Sequence, residues 1–221
     1  MKTVKNVYKW TLKKANEITG GLSNPSKMPC KGYNLPANEC ITGSKLRNIK
    51  DSVCNGCYAL KGNYIRFAKT IFPKMYKALN SLNNIMWVDA MTFLINNQKG
   101  KGIDPNYFRW HDSGDLQSVK HLRDIVLICN NTPNVKHWLP TREYKIIKDY
   151  LKKYGSFPNN LIVRLSAHMV GENAPNINGL NTSTVGYNNS FNCPSFKQNN
   201  QCLDCRACWN PSIKNVNYKL H

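Results

Sequence analysis

Seven of the nine cysteines in this 221-residue chain stand in two tight groups at opposite ends. Cys40, Cys54 and Cys57 are spaced C-x13-C-x2-C and followed by Tyr58, while Cys193, Cys202, Cys205 and Cys208 are spaced C-x8-C-x2-C-x2-C and followed by Trp209. A C-x2-C pair brings two thiolates to one tight loop, as a metal ion or an iron–sulfur cluster requires. Zinc sites pair two separate hairpins of this kind. The second group instead overlaps them, and three ligands two residues apart match the run that grips successive irons of a [4Fe-4S] cubane. Four thiolates close that site, whereas three leave one iron of the first group open to a substrate or cofactor. One or two [4Fe-4S] clusters are therefore expected, with zinc as the alternative. Cys30, in Pro29-Cys30-Lys31-Gly32, can join the first group as a fourth ligand or stand as an incidental thiol. Cys129 ends the apolar run Ile125-Val-Leu-Ile-Cys129 and reads as a core residue.

The remaining candidates sit at the ends of apolar runs. His111-Asp112-Ser113-Gly114-Asp115 follows a strand-like stretch and opens a helix, where parallel α/β enzymes keep their sites. The same two acids also suit helix capping. Period-2 alternation puts Ile162, Arg164, Ser166 and His168 on one face, with Leu161, Val163 and Leu165 on the other. Arg109 and His111 likewise share a face opposite Phe108 and Trp110. Together with Arg142 and Asp115 they form an expected polar lining: Arg109, His111, Asp115, Arg142, Arg164 and His168. Such a set suits a polar or anionic substrate. His121, inside a charged helical stretch, reads as a surface residue, and His221 carries no signal.

The elements that must position these groups are legible in outline. Residues 1–60 are rich in turn formers and read as irregular backbone around the first cysteines. Residues 64–97 are helical in period, with Pro73 as a break or first-turn residue. Three strand–loop–helix units follow, with strands at 107–111, 134–139 and 160–166, helices at 116–129 and up to Tyr154, and a short further strand near Val185. This repeat implies parallel strands and an α/β fold. A polar face towards the strand ends suits the lumen of a partial (β/α) barrel better than a sheet covered by helices on both sides. One domain, 1–221, is expected: a cluster-binding region 1–60, a βα core 61–190 and a cysteine-rich, loop-like tail 191–221.

Lys and Arg number 31 against 12 acids, a formal charge of +19. Such a field attracts polyanions, so nucleic acid or nucleotide is the expected partner class, with a reductant protein added if the chain is redox active. The lysines are dispersed, without the aromatic–basic alternation of single-strand binders. No run of about 18 apolar residues suggests a membrane span. The lysine-rich start, 1–14, has no signal-peptide character, so a reducing compartment and metal-bound rather than disulfide-bonded cysteines are expected. Beside the iron–sulfur enzyme stand two other classes: a zinc-stapled basic module that binds nucleic acid, and an iron–sulfur electron carrier or sulfur-transfer protein.

Several segments carry a resemblance. Leu35-Pro-Ala-Asn-Glu-Cys-Ile-Thr-Gly-Ser-Lys-Leu46, Cys54-Asn-Gly-Cys-Tyr-Ala-Leu-Lys-Gly-Asn-Tyr64 and Phe108-Arg-Trp-His-Asp-Ser-Gly-Asp115 are similar to a phage family, the gene product eighty-eight proteins. Trp138-Leu-Pro-Thr-Arg-Glu143, Val163-Arg-Leu-Ser-Ala-His-Met169 and Cys202-Leu-Asp-Cys-Arg-Ala-Cys-Trp209 extend it over most of the chain. The resemblance implies a phage-encoded protein working in the host cell cytoplasm. A weaker similarity is to radical S-adenosylmethionine enzymes, which use three cysteines after the first strand of a partial barrel. It implies S-adenosylmethionine as a cofactor on the Cys40, Cys54 and Cys57 cluster. Ser113, Gly114 and Asp115 then stand where that family's cofactor-binding turn falls. The spacing departs from the family's C-x3-C-x2-C, and Gly56 replaces its usual aromatic before the last cysteine.

Overall fold

Every strand of the sheet runs in the same direction, so the C-terminal ends of the strands gather on one side. The computed structural model describes residues 9–186 and 191–220. The first eight residues of the lysine-rich start, residues 187–190 at the end of the expected core, and His221 lie outside the described residues. In chain order the structure begins with α1 (Leu12–Thr19), β1 (Gly32–Tyr33) and α2 (Ile41–Leu46). Next come α3 (Gly62–Arg66), α4 (Ala68–Ser81) and α5 (Trp87–Asn96). The regular part is β2 (Tyr107–Trp110), α6 (Val119–Asn131), β3 (Lys136–Thr141), α7 (Tyr144–Tyr154), β4 (Leu161–Ser166) and β5 (Asn181–Val185). The tail adds β6 (Phe191–Asn192) and β7 (Asn215–Tyr218).

Among the described residues the sheet is seven-stranded and parallel, in the order β1-β2-β3-β4-β5-β7-β6. Parallel neighbours need long crossovers, which α6 and α7 supply between β2, β3 and β4. The fold is thus mixed α/β, and from β1 to β5 spatial order follows chain order without reversal.

Alternation divides the sheet into two faces. Phe108, Trp110, Leu139, Leu161, Val163 and Leu165 pack into the main core with Met91, Leu122, Ile125, Cys129 and Ile147 of α5, α6 and α7. Each large buried side chain of this kind contributes roughly 1.5–3 kcal/mol of transfer free energy. The opposite face carries Trp138, which packs in a second cluster with Ala207, Cys208, Trp209, Val216 and Cys30. The tail therefore covers the sheet face that α5, α6 and α7 leave bare.

Three sequence expectations change. The helical stretch 64–97 is three helices, broken at Phe67 and at residues 82–86, and Pro73 lies inside α4. A proline there removes one N–H bond and crowds the carbonyl four residues back, yet the helix continues through it. The tail is not merely loop, because β6 and β7 add to the parallel sheet. Finally, α6 starts at Val119, not Leu116, since Ser118 caps it by accepting the His121 N–H at 3.0 Å. Asp112 and Asp115 are thereby freed from capping.

Candidate metal centre at the strand ends

Cys40 caps the start of α2, and Cys54 and Cys57 lie on the turn that precedes the 3-10 segment Tyr58–Leu60. Three contacts lay this turn along the end of β4. Val53 N–H donates to the His168 carbonyl at 2.9 Å, Val170 N–H donates to Asp51, and Ser52 bridges Met169. Cys54 and Cys57 each stand near enough to Cys40 to disfavour its ionisation. Gly43 lines the space between Cys40 and Cys54. A β-carbon there would stand 2.9 Å from Cys40 Cβ and 3.6 Å from the Sγ of both Cys40 and Cys54. The glycine thus leaves a bare cradle beside two sulfurs.

The walls of this cradle come from strand ends. After β2, Asp115 Oδ1 accepts from Thr141 Oγ1 at 2.6 Å and from Leu116 N–H at 2.7 Å, while Oδ2 accepts from Arg142 N–H at 2.9 Å. Burial pushes its carboxyl up to about 6 against these hydrogen bonds, which pull it down. After β3, Glu143 holds Thr42 of α2 with both oxygens, at 2.8 and 2.7 Å. After β4, His168 stacks on Tyr144 with centroids 4.2 Å apart, its Nε2 lying 3.1 Å from the Arg142 carbonyl. Burial pushes the Cys40 and Cys54 thiols up, and Asp115 adds to both shifts. Arg142 and Arg47 oppose the rise at Cys54 without cancelling it.

Of the expected polar lining, Asp115, Arg142 and His168 thus meet around the first cysteines. Arg109 stands nearby, stacked over Trp138 at 4.6 Å, and its charge acts on Tyr58 and Asp112. His111 does not join them. Its φ of +54° breaks the alternation after Trp110 and turns the ring to His121, 5.3 Å away. Burial there holds its imidazole well below the ordinary value. His121 is buried rather than at the surface; its Nδ1 accepts from Gln117 N–H, and burial pushes its imidazole down to about 3. Ser113 and Gly114 are committed to the chain itself. Ser113 Oγ donates to the Leu35 carbonyl at 3.0 Å, and a β-carbon on Gly114, at φ +79°, would stand 2.5 Å from Leu35 Cβ. They brace the segment leading to Cys40 and turn no free group into the cradle.

Arg164 is also placed elsewhere. All five guanidinium donors are used on backbone carbonyls: Cys208, Ala207 and Asn210 at 2.8–2.9 Å, Ile213 at 2.8 Å and Thr182 at 3.2 Å. A buried cation in such a frame fastens the tail to β4 and has no donor left for a substrate.

The tail cysteines form the second group. Cys208 feels the charges of Cys193 and Cys202, and Cys202 those of Cys193 and Cys205. Leu203, at φ +43°, makes the tight turn of the first C-x2-C, and Cys205 N–H donates to Cys202 at 2.9 Å. Cys30 belongs with this group and not with the first, since Cys202 is the thiol that acts on it. Cys129 is buried in the main core as expected. Among the described residues, no group of three or more His, Cys, Asp or Glu side chains is gathered on one metal-sized point.

A groove of about 900 Å³ lies at the other end of the strands, between Tyr107, Lys136, Asn160, Arg206 and Trp209, and not at the first cysteines. It is open and apolar-walled, and none of Asp115, Arg142 and His168 lines it.

Sequence reasoning missed Glu143, Thr42, Gly43 and Tyr144. Only a map of which strand end meets which loop brings them in, and no spacing in the sequence encodes that map. Among the described residues no helix is long and apolar enough to cross a membrane. No curated protein and no solved structure matches the chain. A family model described as Gene product 88 matches residues 2–211, in agreement with the resemblance carried by the motifs, and the chain belongs to that phage gene-product family.

Proposed function

We propose that the chain is an iron–sulfur enzyme of redox or radical type, built as a partial (β/α) barrel with two [4Fe-4S] clusters. The observation that supports this reading is that Cys40 and Cys54 flank the bare face of Gly43, with Cys57, Asp115, Arg142 and Glu143 close enough to act on one or both thiols. Three thiolates suit a cubane with one open iron. Thiolate-bound clusters are anionic, and Arg142 and Arg47 offset that charge at Cys54. With S-adenosylmethionine as the cofactor, such a cluster supplies reductive cleavage chemistry. Around it, Arg142 and His168 orient a polar or anionic substrate, while Asp115, with its raised carboxyl, can hold or release a proton near neutral pH. Glu143 keeps α2 seated so that Cys40 faces the other two thiols.

The tail cysteines hold the second, closed cluster, in an auxiliary or structural role. The +19 charge suits a nucleotide or nucleic-acid substrate, and a reductant protein would deliver electrons. The test is a triple serine variant of Cys40, Cys54 and Cys57, purified anaerobically beside the parent chain. Expected is about half the parent's iron, with 5′-deoxyadenosine formed from S-adenosylmethionine and dithionite by the parent alone. Full iron in the triple variant contradicts the assignment. Two clusters without 5′-deoxyadenosine would make the chain an electron carrier.

A further inference from the structure

The tail offers four cysteines, yet a fifth thiol is built into the same place from the far end of the chain. Cys30 is fully buried and packs in one cluster with Cys193, Cys205, Cys208 and Trp209. The loop that carries it is fastened to the tail. Cys202 N–H donates to the Lys27 carbonyl at 3.0 Å, and Cys202 Sγ lies 3.6 Å from Met28 Sδ. On the other side of the thiol, Asp104 N–H donates to the Pro29 carbonyl at 2.7 Å, and Asp104 pairs with Arg206 at 3.6 Å. A cysteine that serves only as packing sits among apolar side chains. Cys30 has apolar neighbours in Trp138, Trp209 and Val216 but also lies beside Cys202, Asp104, Arg109 and Arg206; burial pushes its thiol up to about 12, and the two arginines pull against that rise.

We infer that Cys30 is a metal ligand of the tail group, supplied across the fold by the loop before β1, so that the site is closed by both ends of the chain. This rests on the reading that the tail group binds metal, and it changes the ligand set from four adjacent cysteines to one that includes a residue more than 160 positions away. Cys202 is the common member, because Cys30, Cys193, Cys205 and Cys208 all interact with it. Metal loading then locks residues 27–31 to the tail, and the loop continues directly into β1.

The probe is ¹¹³Cd(II), bound by the parent chain and followed by Cd–Hβ scalar couplings, which identify ligating cysteines without any substitution. Expected is a coupling from Cys30 Hβ to the same cadmium that couples to Cys202. Couplings from the tail cysteines alone overturn the inference while leaving metal binding intact. No cadmium coupling at any tail cysteine overturns both the inference and the reading beneath it. Cobalt(II) gives a second readout: a tetrahedral ion takes four of the five thiols, so in Cys30→Ser the thiolate-to-cobalt charge-transfer band per tail site should fall by about one quarter if Cys30 is one of those four. An unchanged band contradicts Cys30 ligation. Cys129→Ser, in the other core, should leave the band unchanged, and a fall there as large as in Cys30→Ser would count against it.

Discussion

Glu143 holds Thr42 with both carboxylate oxygens, one on the backbone N–H at 2.8 Å and one on the hydroxyl at 2.7 Å. Thr42 follows Cys40 by two residues, and Glu143 follows β3, so one buried carboxylate seats the Cys40 segment on the sheet. Hydrogen bonds to a charged group contribute about 1.5–3 kcal/mol each. Glu143→Ala should lower stability by about 3 kcal/mol and loosen iron at the first group, read by thermal unfolding and iron content. Thr42→Val should add little on top of it, since both changes remove the same pair. Fully additive losses would show that the two residues do not act together.

Gly43→Ala probes the cradle. Its β-carbon would stand 2.9 Å from Cys40 Cβ, closer than real contacts allow, and would occupy the flank between two sulfurs. Iron at the first group should fall severalfold while the tail group keeps its share. The check is the iron-to-protein ratio with cluster-specific EPR. Unchanged loading would place the metal on another side of the cysteines.

Arg164→Met should detach the tail. Five backbone carbonyls lose their donor, and each buried unsatisfied acceptor costs about 1–3 kcal/mol. Local opening should appear as rapid proteolysis between residues 198 and 214. Lysine should not rescue it, because an ammonium cannot reproduce the planar fork. A variant with parental stability and weakened substrate affinity would instead return Arg164 to the binding lining.

Stability should fall steeply in acid. Burial pushes His121 and His137 down to about 3 in the folded chain, against an ordinary value of 6.5. Their folded values are depressed, so the unfolded chain takes up protons first, and stability present above pH 6.5 is lost as pH falls towards 3. Each contributes up to about 4–5 kcal/mol over that window. Asp115 acts in the opposite sense, its raised carboxyl favouring the fold as pH falls from about 6 towards 4, with about 3 kcal/mol. Two histidines outweigh one carboxyl. Urea midpoints between pH 7 and 4 should therefore drop, and His137→Gln should flatten the slope. A rising midpoint would contradict the burial of these rings.

Much of this arrangement was readable from local pattern. The alternation in Leu161–Ser166 gives the two faces of β4, and the strand–helix spacing gives the parallel order. What local pattern missed was decided by long-range geometry. Arg164 looks the same in sequence whether it faces a cavity or a tail, and only the position of Ala207 to Ile213 decides. His111 left its expected face because one left-handed residue ended the alternation. Cys30 went to the distant group because the loop before β1 pairs with Cys202, more than 160 residues on. The α6 cap fell to Ser118, which freed Asp115 to receive Thr141 and Arg142.

The most direct measurement of the central claim is iron and acid-labile sulfide per chain after anaerobic purification. Two cubanes predict a brown protein with about eight irons and eight sulfides. A colourless protein carrying zinc and no sulfide would contradict the account.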